Sequence, residues 1–359
     1  MKVFFALTAA LVVLAYGVFQ LPPFGGSFDG ERLARMQKSP QWAQGRFENS
    51  PKQNTDDSIS KNFKLYNQGI PRDPIVDIPV MALSAQTLRS KPAPGLRAIW
   101  FGHATVLIEV DGVRVMTDPV LSERVSPFQW IGPKRFHAPP IELKNLTGID
   151  AVVISHDHYD HLDQATITKL SQDGTIFYVG LGIGAHLERW KVPPNQIVEM
   201  DWWESTRIKG IEIHCTPTRH YSGRKKMDNS TLWASWTIKG PKHSFFFSGD
   251  TGYSKHFSEI AKKLGPIDLS LIKIGAYGET WLDIHMDPES AIQAHLDLGA
   301  KTMLPVHWAT FDLSYHAWAE PIQRATLSAR SKSVHLITPR IGEPFEFGAP
   351  FQNLNWFQN

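Results

Sequence analysis

Cysteine is almost missing from this chain of 359 residues, which contains only Cys215. A single cysteine cannot form an intrachain disulfide bond, so folds stabilised by disulfides are excluded. The cysteine content therefore does not indicate whether the protein resides in an oxidising or a reducing compartment. We expect Cys215 to be a small buried apolar residue. Since 42% of the residues are hydrophobic, a chain of this length can bury a full core without covalent cross-links.

An excess of charge of either sign is also missing. Lys and Arg number 37, Asp and Glu number 35, and the formal net charge is only +2. Nucleic-acid binding requires a concentrated basic surface, so the sequence predicts no nucleic-acid partner. No repeat of fixed period and no low-complexity tract is present, and the oligomeric state is left undetermined.

Charge is absent from the run between Val3 and Phe19, which is apolar and follows the single charged residue Lys2. A helix of this length, at about 1.5 Å per residue, crosses or nearly crosses a bilayer. Residues 1–25 are therefore interpreted as a membrane anchor or a cleaved export signal, with a slight preference for the anchor. Lys2 favours an extracytoplasmic position for the rest of the chain, periplasmic in a bacterium, whereas cleavage would give a secreted protein.

The remaining chain divides into three predicted parts. Residues 26–95 are polar and rich in proline and asparagine, which predicts an irregular arm or linker without catalytic residues. Residues 96–345 alternate strand-like and helix-like segments, with Asp111-Gly112 as a two-residue hairpin turn and Pro288 at a helix start. This pattern predicts an α/β domain with helices outside packed sheets, followed by a tail over residues 346–359.

The stretch ISHDHYDHLD, residues 154–163, places several metal-ligand side chains directly behind the apolar strand AVVI. Sites in α/β folds usually lie at the carboxyl ends of such strands. Neutral imidazoles and carboxylates are ligands of Zn²⁺, and crowding them without a cation leaves polar groups short of partners. The spacing therefore predicts a zinc site formed by His156, His158, Asp160 and His161.

One loop cannot complete two metal sites, so further ligands are expected at other strand ends. Three candidates each follow a strand-like apolar run, namely His220, Asp250 and His307. His103, in the stretch WFGHATVLI, is expected to line the site or to support a ligand. Asp163 either orients a ligating imidazole or caps the helix that follows it.

These residues carry a resemblance. The H-x-H-x-D-H run, with His220, Asp250 and His307 downstream, resembles the metallo-β-lactamase superfamily of zinc hydrolases over residues 97–345. The stretches GHATVLIEVDGVRVMTDP, SHDHYDHLD, FSGDTGY and HMDPESA are similar to the branch of N-acyl-phosphatidylethanolamine-hydrolysing phospholipase D and its bacterial relatives. The resemblance implies a four-layered αββα sandwich, here preceded by an apolar N-terminal helix and the arm.

The resemblance also implies two zinc ions per chain. One would be held by His156, His158 and His220, the other by Asp160, His161 and His307, with Asp250 bridging them. Two zinc ions about 3.5 to 4 Å apart can hold a bridging hydroxide and stabilise the entering and leaving oxygens. His285, placed near the metals by the same resemblance, either positions a substrate oxygen or acts as a general acid, or else only flanks a helix.

The expected function is a membrane-associated, dinuclear zinc phosphodiesterase of the phospholipase D type, acting on N-acyl-phosphatidylethanolamine-like lipids. The alternatives are a zinc lactonase or other ester hydrolase on a small-molecule substrate, and a non-catalytic membrane-attached binding protein. Four aromatic residues near the motif loops are either groove-lining or core residues, namely Trp130, Phe136, Trp281 and Trp308. Where the branch commonly continues IGAY with Glu-Pro-Arg, this chain has Gly278-Glu279-Thr280, a departure in the segment that shapes the substrate pocket.

Overall fold

The computed structural model describes residues 16–55 and 58–358. Most of the expected apolar N-terminal helix, residues 3–19, lies outside the described residues. Among the residues that are described, no helix combines the length and the apolar character needed to cross a membrane.

The secondary structure is mixed. The strands are, in chain order, β1 (Trp42–Ala43), β2 (Arg46–Phe47), β3 (Leu96–Gly102), β4 (Thr105–Val110), β5 (Val113–Thr117), β6 (Ala151–Ile154), β7 (Ile176–Gly180), β8 (Ile197–Met200), β9 (Ser205–Ile208), β10 (Ile211–Thr216), β11 (Ser235–Lys239), β12 (Ser244–Phe247), β13 (Ile267–Lys273), β14 (Ala300–Val306) and β15 (Pro344–Glu346). The α-helices after residue 20 are α1 (Gly30–Met36), α2 (Ile59–Tyr66), α3 (Ala85–Arg89), α4 (Gln164–Ser171), α5 (Gly184–Arg189), α6 (His256–Leu264), α7 (Pro288–Leu298) and α8 (Glu320–Ser331).

Two sheets form the centre of the molecule. The first has the strand order β15-β3-β4-β5-β6-β7-β8, and the second has the order β14-β13-β12-β11-β10-β9. The predicted hairpin turn joins β4 to β5, with Asp111 at φ 48° and Gly112 at φ 88°. Positive φ at both turn residues matches the twist of the two strands, which explains the Asp-Gly pair.

The side chains of β4 show how the layers pack. Val106 and Ile108 face Phe245 and Phe247 of β12 in the core between the sheets. Leu107, which points the opposite way, packs with residues of α4 and α5 on the outer face of the first sheet. Helices α6, α7 and α8 cover the outer face of the second sheet and join the main core. The expected four-layered αββα sandwich is therefore confirmed.

Helix α7 begins and ends where the sequence predicts. The carboxylate of Asp287 accepts a hydrogen bond from the Ser290 amide at 2.8 Å, and Pro288 occupies the first turn. Gly299 ends the helix in the left-handed conformation at φ 67°. Other elements were missed, namely α8 and the edge strands β8, β9 and β15.

The arm differs from a free linker because it packs on the sandwich. Met36 and Phe47 are fully buried beside Trp233. The guanidinium of Arg32 pairs with Glu188 at 2.7 Å and with Glu199 at 2.8 Å. The arm is therefore a wall of the folded body, and it is less irregular than the sequence predicts, because it contains α1, α2, α3 and the β1–β2 ladder.

Candidate metal centre

The candidate residues follow strands that run in one direction within each sheet. In the first sheet β3, β5 and β6 are co-directional, and in the second β10, β12 and β14 are co-directional. Their carboxyl ends therefore meet at one edge of the sandwich. The residues that follow these ends are His103, Asp118, the segment 156–161, His220, Asp250 and His307.

The first donor set consists of three imidazoles. His156 Nε2 lies 2.8 Å from His158 Nδ1, and His220 Nε2 lies 3.4 Å from the same atom. The three nitrogen atoms are all within 4.8 Å of one another. A single cation can be reached by all three.

The second donor set surrounds Asp160. Its Oδ2 atom lies 3.2 Å from His161 Nε2 and 3.4 Å from His307 Nε2. His103 belongs to the same cluster, with its Nε2 atom 3.0 Å from Asp160 Oδ2. From this position His103 can hold the Asp160 carboxylate in place.

Asp250 lies between the two donor sets. Its Oδ2 atom is 3.9 Å from His220 Nε2 in the first set and 3.4 Å from His161 Nε2 in the second. Its Oδ1 atom is 3.1 Å from His307 Nε2. One carboxylate can therefore reach cations in both sets.

Unpaired buried polar atoms at the centre show whether metal ions fit there. Among the described residues, several buried atoms at the centre have no hydrogen-bond partner, namely His158 Nε2, His161 Nε2, Asp250 Oδ1 and both ring nitrogens of His307. Leaving one such group unpaired costs about 1 to 3 kcal/mol, so a cluster of them would be costly on its own. Five imidazoles and two carboxylates are donors that a divalent ion such as Zn²⁺ accepts. The residues fit a pair of metal ions.

The protonation states of His156, His220 and Asp250 suit the same interpretation. Burial and the neighbouring imidazoles hold the pKa of His156 and of His220 well below the usual range, so both rings are neutral. Burial alone would raise the pKa of Asp250, but His307, His161 and His285 outweigh it and lower that pKa. Neutral imidazole and ionised carboxylate are the forms that bind metal. Against the effect of burial, the nearby carboxylates raise the pKa of His161 and of His307, so a metal ion would displace a proton from each of these two rings.

Asp118, which the sequence analysis missed, orients ligand candidates of both sets. Its Oδ2 atom accepts from His161 Nδ1 at 2.6 Å and from the Ser155 hydroxyl at 2.5 Å. The oxygen of the same hydroxyl lies 2.9 Å from His156 Nδ1 and can accept a hydrogen bond from the Nδ1–H group. Both imidazoles then carry hydrogen on Nδ1 and present a free Nε2 to the centre. The available signal was the position of Asp118 directly after a strand, in VRVMTDP.

Of the two roles expected for Asp163, the structure shows the helix cap. Its carboxylate accepts from the Ala165 amide at the start of α4, from Thr166 Oγ1 at 2.6 Å and from Ser122 Oγ at 2.8 Å. Within the described residues it bonds no histidine of the centre. The idea that Asp163 orients a ligating imidazole was wrong, because the cap and the loop at Ser122 use its oxygen atoms.

Strained backbone marks the same edge. His307 and His103 both have positive φ, 65° and 50°, and the His307 amide donates to the His103 carbonyl oxygen at 2.9 Å. Asp118 has φ 32°. Such conformations in residues other than glycine cost about 1 to 3 kcal/mol each and concentrate at functional sites.

His285 lies beside the centre and contacts a buried lysine that the sequence analysis also missed. His285 Nδ1 is 3.7 Å from Asp250 Oδ2 and 3.1 Å from Lys273 Nζ. Burial lowers the pKa of Lys273 to about 8, and burial and Lys273 hold the pKa of His285 well below its usual range. Because an ammonium group only donates, Nδ1 accepts and the neutral ring carries its hydrogen on Nε2.

A cavity of about 960 Å³ opens above the centre. We call the seven candidate ligands the floor, and four of them, His158, Asp160, Asp250 and His307, line the base of the cavity. The rim is the upper wall, formed by the arm, the loop 221–229 and the loop 276–284, whereas His285 lies beside the floor. Lys52, Lys225 and Lys226 at the rim are exposed, and within the described part of the chain the first two form no ion pair. Lys226 lies 3.7 Å from Asp228.

Only one of the four aromatic candidates lines this cavity. Trp281 does so, in the segment where the sequence departs from the Glu-Pro-Arg pattern. Trp308 is stacked between Trp100 and Trp356 at ring distances of 5.1 Å, so it is a core residue to which the C-terminal tail is packed. Phe136 packs against the core, and Trp130 is exposed on another part of the surface.

Comparisons with known proteins identify the family. A family model described as a beta-lactamase superfamily domain matches residues 113–308. An uncharacterized protein of Mycobacterium tuberculosis is 46% identical over 280 residues, 77% of this chain and 75% of that protein. N-acyl-phosphatidylethanolamine-hydrolyzing phospholipase D 1 of Caenorhabditis elegans is 33% identical over 314 residues, 80% of this chain and 88% of that protein.

A solved structure agrees at the level of fold. The metallo hydrolase of the archaeon Ignicoccus hospitalis has a TM-score of 0.54 and 22% identity, covering 71% of this chain and 99% of that one. Two findings indicate the same family. The structure has a cluster of histidines and carboxylates at the edge of an αββα sandwich, and the sequence relatives match most of the chain. The chain belongs to the metallo-β-lactamase superfamily, in the branch that includes the N-acyl-phosphatidylethanolamine-hydrolysing phospholipases D, and is a metal-dependent hydrolase.

Proposed function

We propose that this hydrolase is a two-zinc phosphodiesterase that cleaves lipid phosphodiesters of the N-acyl-phosphatidylethanolamine type. The observation that carries the proposal is the combination of two donor sets joined by Asp250 with a lysine-bearing rim above them. A phosphodiester is an anion, whereas a lactone is neutral. Lysines at the rim favour the anionic substrate, and the C. elegans relative is named for such a lipid.

In this proposal the first zinc ion is held by three imidazoles and the second by one carboxylate and two imidazoles, with Asp250 shared. The ligands are His156, His158 and His220 for the first, and Asp160, His161 and His307 for the second. Zinc, when bound, supplies a Lewis acid for phosphoryl oxygens and lowers the pKa of water so that hydroxide is available near neutral pH. Asp118 and Ser155 keep His161 and His156 in the tautomer that ligates.

His285 acts on the substrate side. Its Nε2–H group is a hydrogen-bond donor, because Lys273 occupies Nδ1. The ring lines the cavity next to Asp250, where a donor can hold a phosphoryl or leaving-group oxygen. Lys273 is a positioning residue, since it reaches the substrate only through His285.

The test is a substrate panel on the zinc-loaded full chain in detergent. We expect two zinc ions per chain and measurable hydrolysis of phosphodiesters, with long-chain N-acyl-phosphatidylethanolamine preferred over short-chain analogues. Lactones and β-lactams should be poorer substrates. If lactones are turned over about a hundredfold more efficiently than every phosphodiester, measured as kcat/KM, the zinc lactonase replaces this proposal.

We also propose that the apolar run Val3 to Phe19 anchors the chain in a membrane with the hydrolase domain on the extracytoplasmic side. The Gln20 and Pro22 carbonyl oxygens accept hydrogen bonds from Arg189 and Trp190, so a truncation near Phe24 would remove contacts of the domain itself. A full-length variant with Leu11→Arg and Leu14→Arg avoids this problem. The native chain should be in the membrane fraction and the variant in the soluble fraction. If the native chain and the variant are both in the soluble fraction, the anchor is contradicted.

A further inference from the structure

An exposed apolar surface lies apart from the metal centre. We call it the aromatic face and define it as Phe19, Leu21, Trp130 and Ile131. Trp130 is 75% exposed and Ile131 is 52% exposed, while Phe19 and Leu21 are each more than 40% exposed. Large apolar side chains grouped in this way on a soluble surface mark an interaction site.

A row of rings connects the two parts of the aromatic face. The ring of Phe19 lies 5.2 Å from that of Phe24, which lies 6.0 Å from that of Phe128. Phe128 in turn stacks on Trp130 at 5.6 Å. The N-terminal residues and the loop that carries Trp130 therefore lie next to each other, with Phe24 buried between them.

The loop is built to display Trp130 rather than to bury it. Gln129 bonds both the amide and the carbonyl of Arg124, at 3.0 and 2.9 Å, and the Arg124 guanidinium donates to the Gly132 carbonyl at 2.6 Å. Residues 125–133 contain no charged side chain. An ordered, uncharged loop thus holds a tryptophan and an isoleucine in solvent, although hiding that area would be favourable by about 25 cal/mol per Å².

The chain at Phe19 is fixed to the domain immediately afterwards. The Pro22 carbonyl accepts from Trp190 Nε1 at 2.7 Å, and the Pro23 carbonyl accepts from the Arg224 guanidinium at 2.9 Å. The Gly26 amide donates to His186 Nδ1 at 2.9 Å. A Cβ atom at Gly26 would lie only 2.1 Å from the Ala185 carbonyl oxygen, so the approach requires glycine. No free tether separates the apolar run from the domain.

The occupant of the face follows from the sequence that leads into it. Seventeen uncharged residues, Val3 to Phe19, end at the face, and their apolar character suits lipid. Tryptophan and other aromatic residues favour the boundary between lipid and water, where one end of the ring stays polar. We propose that the aromatic face docks on a lipid bilayer, with Trp130 and Ile131 inserted among the lipids.

Docking on this face would place the cavity next to the bilayer. Val125, at the base of the same loop, lines the cavity, and so do Tyr159 and Arg224. Tyr159 and Arg224 also line the depression beside the loop that carries Trp130. The face that meets the membrane does not depend on which substrate the centre hydrolyses.

The experiment measures immersion of a spin label in the full chain, reconstituted in vesicles of phosphatidylethanolamine and phosphatidylglycerol. Cys215, the only native cysteine, is buried and is replaced by alanine. Ile131→Cys carries the label, and Leu327→Cys is the matched control, because Leu327 is an exposed apolar residue of α8 with 67% exposure. We expect the label at position 131 to lose collisions with a water-soluble nickel complex and gain collisions with oxygen, while the control stays accessible to nickel.

The contrary outcomes are distinct. Equal access of nickel to both labels in a chain that floats with the vesicles would overturn docking and leave the anchor intact. A chain that does not float with vesicles would overturn both. Dipolar broadening between labels at position 131 of two chains would assign the face to self-association and overturn the lipid proposal.

Discussion

The floor and the rim of the cavity are built from different kinds of chain. Every residue of the floor follows the carboxyl end of a β-strand, and the strands that precede these residues are fixed in the ladders of two sheets. The rim comes from the irregular arm and from two loops, and its lysines are exposed. The floor is therefore rigid in position, whereas rim side chains can be exchanged with little effect on the sandwich.

The contrast separates chemistry from selectivity. Floor residues share partners, because Asp250 contacts both donor sets and Asp118 serves His156 and His161 together. A substitution at the floor should therefore affect several groups at once. The exposed lysines of the rim act singly through solvent, so their effects should be smaller and should appear in substrate affinity.

The largest effect is expected for Asp250→Ala. Removal of the shared carboxylate leaves both donor sets incomplete, so turnover should disappear and zinc content should fall below two per chain. Metal analysis and activity on the preferred phosphodiester would be measured on the same preparation. Full activity in this variant, or an active native protein without metal, would refute the assignment of the floor.

His285→Ala should reduce kcat by about 10² to 10⁴-fold, as for loss of a positioned proton donor, with both zinc ions retained. Lys273→Met should reduce kcat less and should add little in the double variant, because Lys273 acts through His285. Additive losses in the double variant would show that Lys273 has a separate role. An unchanged kcat in His285→Ala would show that His285 has only a structural role.

Asp118→Asn should lower zinc affinity or activity by about 10- to 100-fold, since supporting groups of metal ligands have effects of this size. The variant keeps the shape of the side chain but loses the charge that holds His161 Nδ1. Asp163→Asn is the matched control, because Asp163 is a buried aspartate that caps α4. The control should lose about 1 kcal/mol of stability and keep its activity. Equal losses of activity in the two variants would contradict the role of Asp118.

The smallest effect is expected at the rim. Replacing Lys225 and Lys226 by glutamate should raise KM for an anionic phosphodiester about fivefold and leave KM for a neutral ester unchanged, because exposed charges interact by only about 0.2 to 1 kcal/mol. Lys332→Glu, an exposed lysine outside the cavity, is the control. An equal rise of KM for both substrates would show that the rim acts by shape and not by charge.

For the ligand cluster of residues 156–161 the sequence by itself was sufficient, because metal chemistry restricts residue types and spacing, whereas the division of the floor into two ligand sets came only from the family resemblance. His156, His158, Asp160 and His161 were recognised within one loop, and the Asp111-Gly112 turn and the ends of α7 followed from local rules. These features depend on neighbours in sequence. The fold class followed from the same alternation of strands and helices.

Tertiary structure alone decided the features that depend on residues far apart in sequence. Asp163 closely follows the motif in sequence, whereas Asp118 lies well before it and was missed; only packing assigned Asp163 to a helix cap and Asp118 to His161. In the sequence Lys273 has no feature that distinguishes it from other strand residues, and only the fold places its Nζ atom 3.1 Å from His285 Nδ1. Likewise the arm, predicted to be a linker, became a cavity wall because Asn49 donates to the His220 carbonyl at 2.6 Å. The contacts of Lys273, Asp118 and Asn49 join residues that are 12, 43 and 171 positions apart, and no local pattern encodes them.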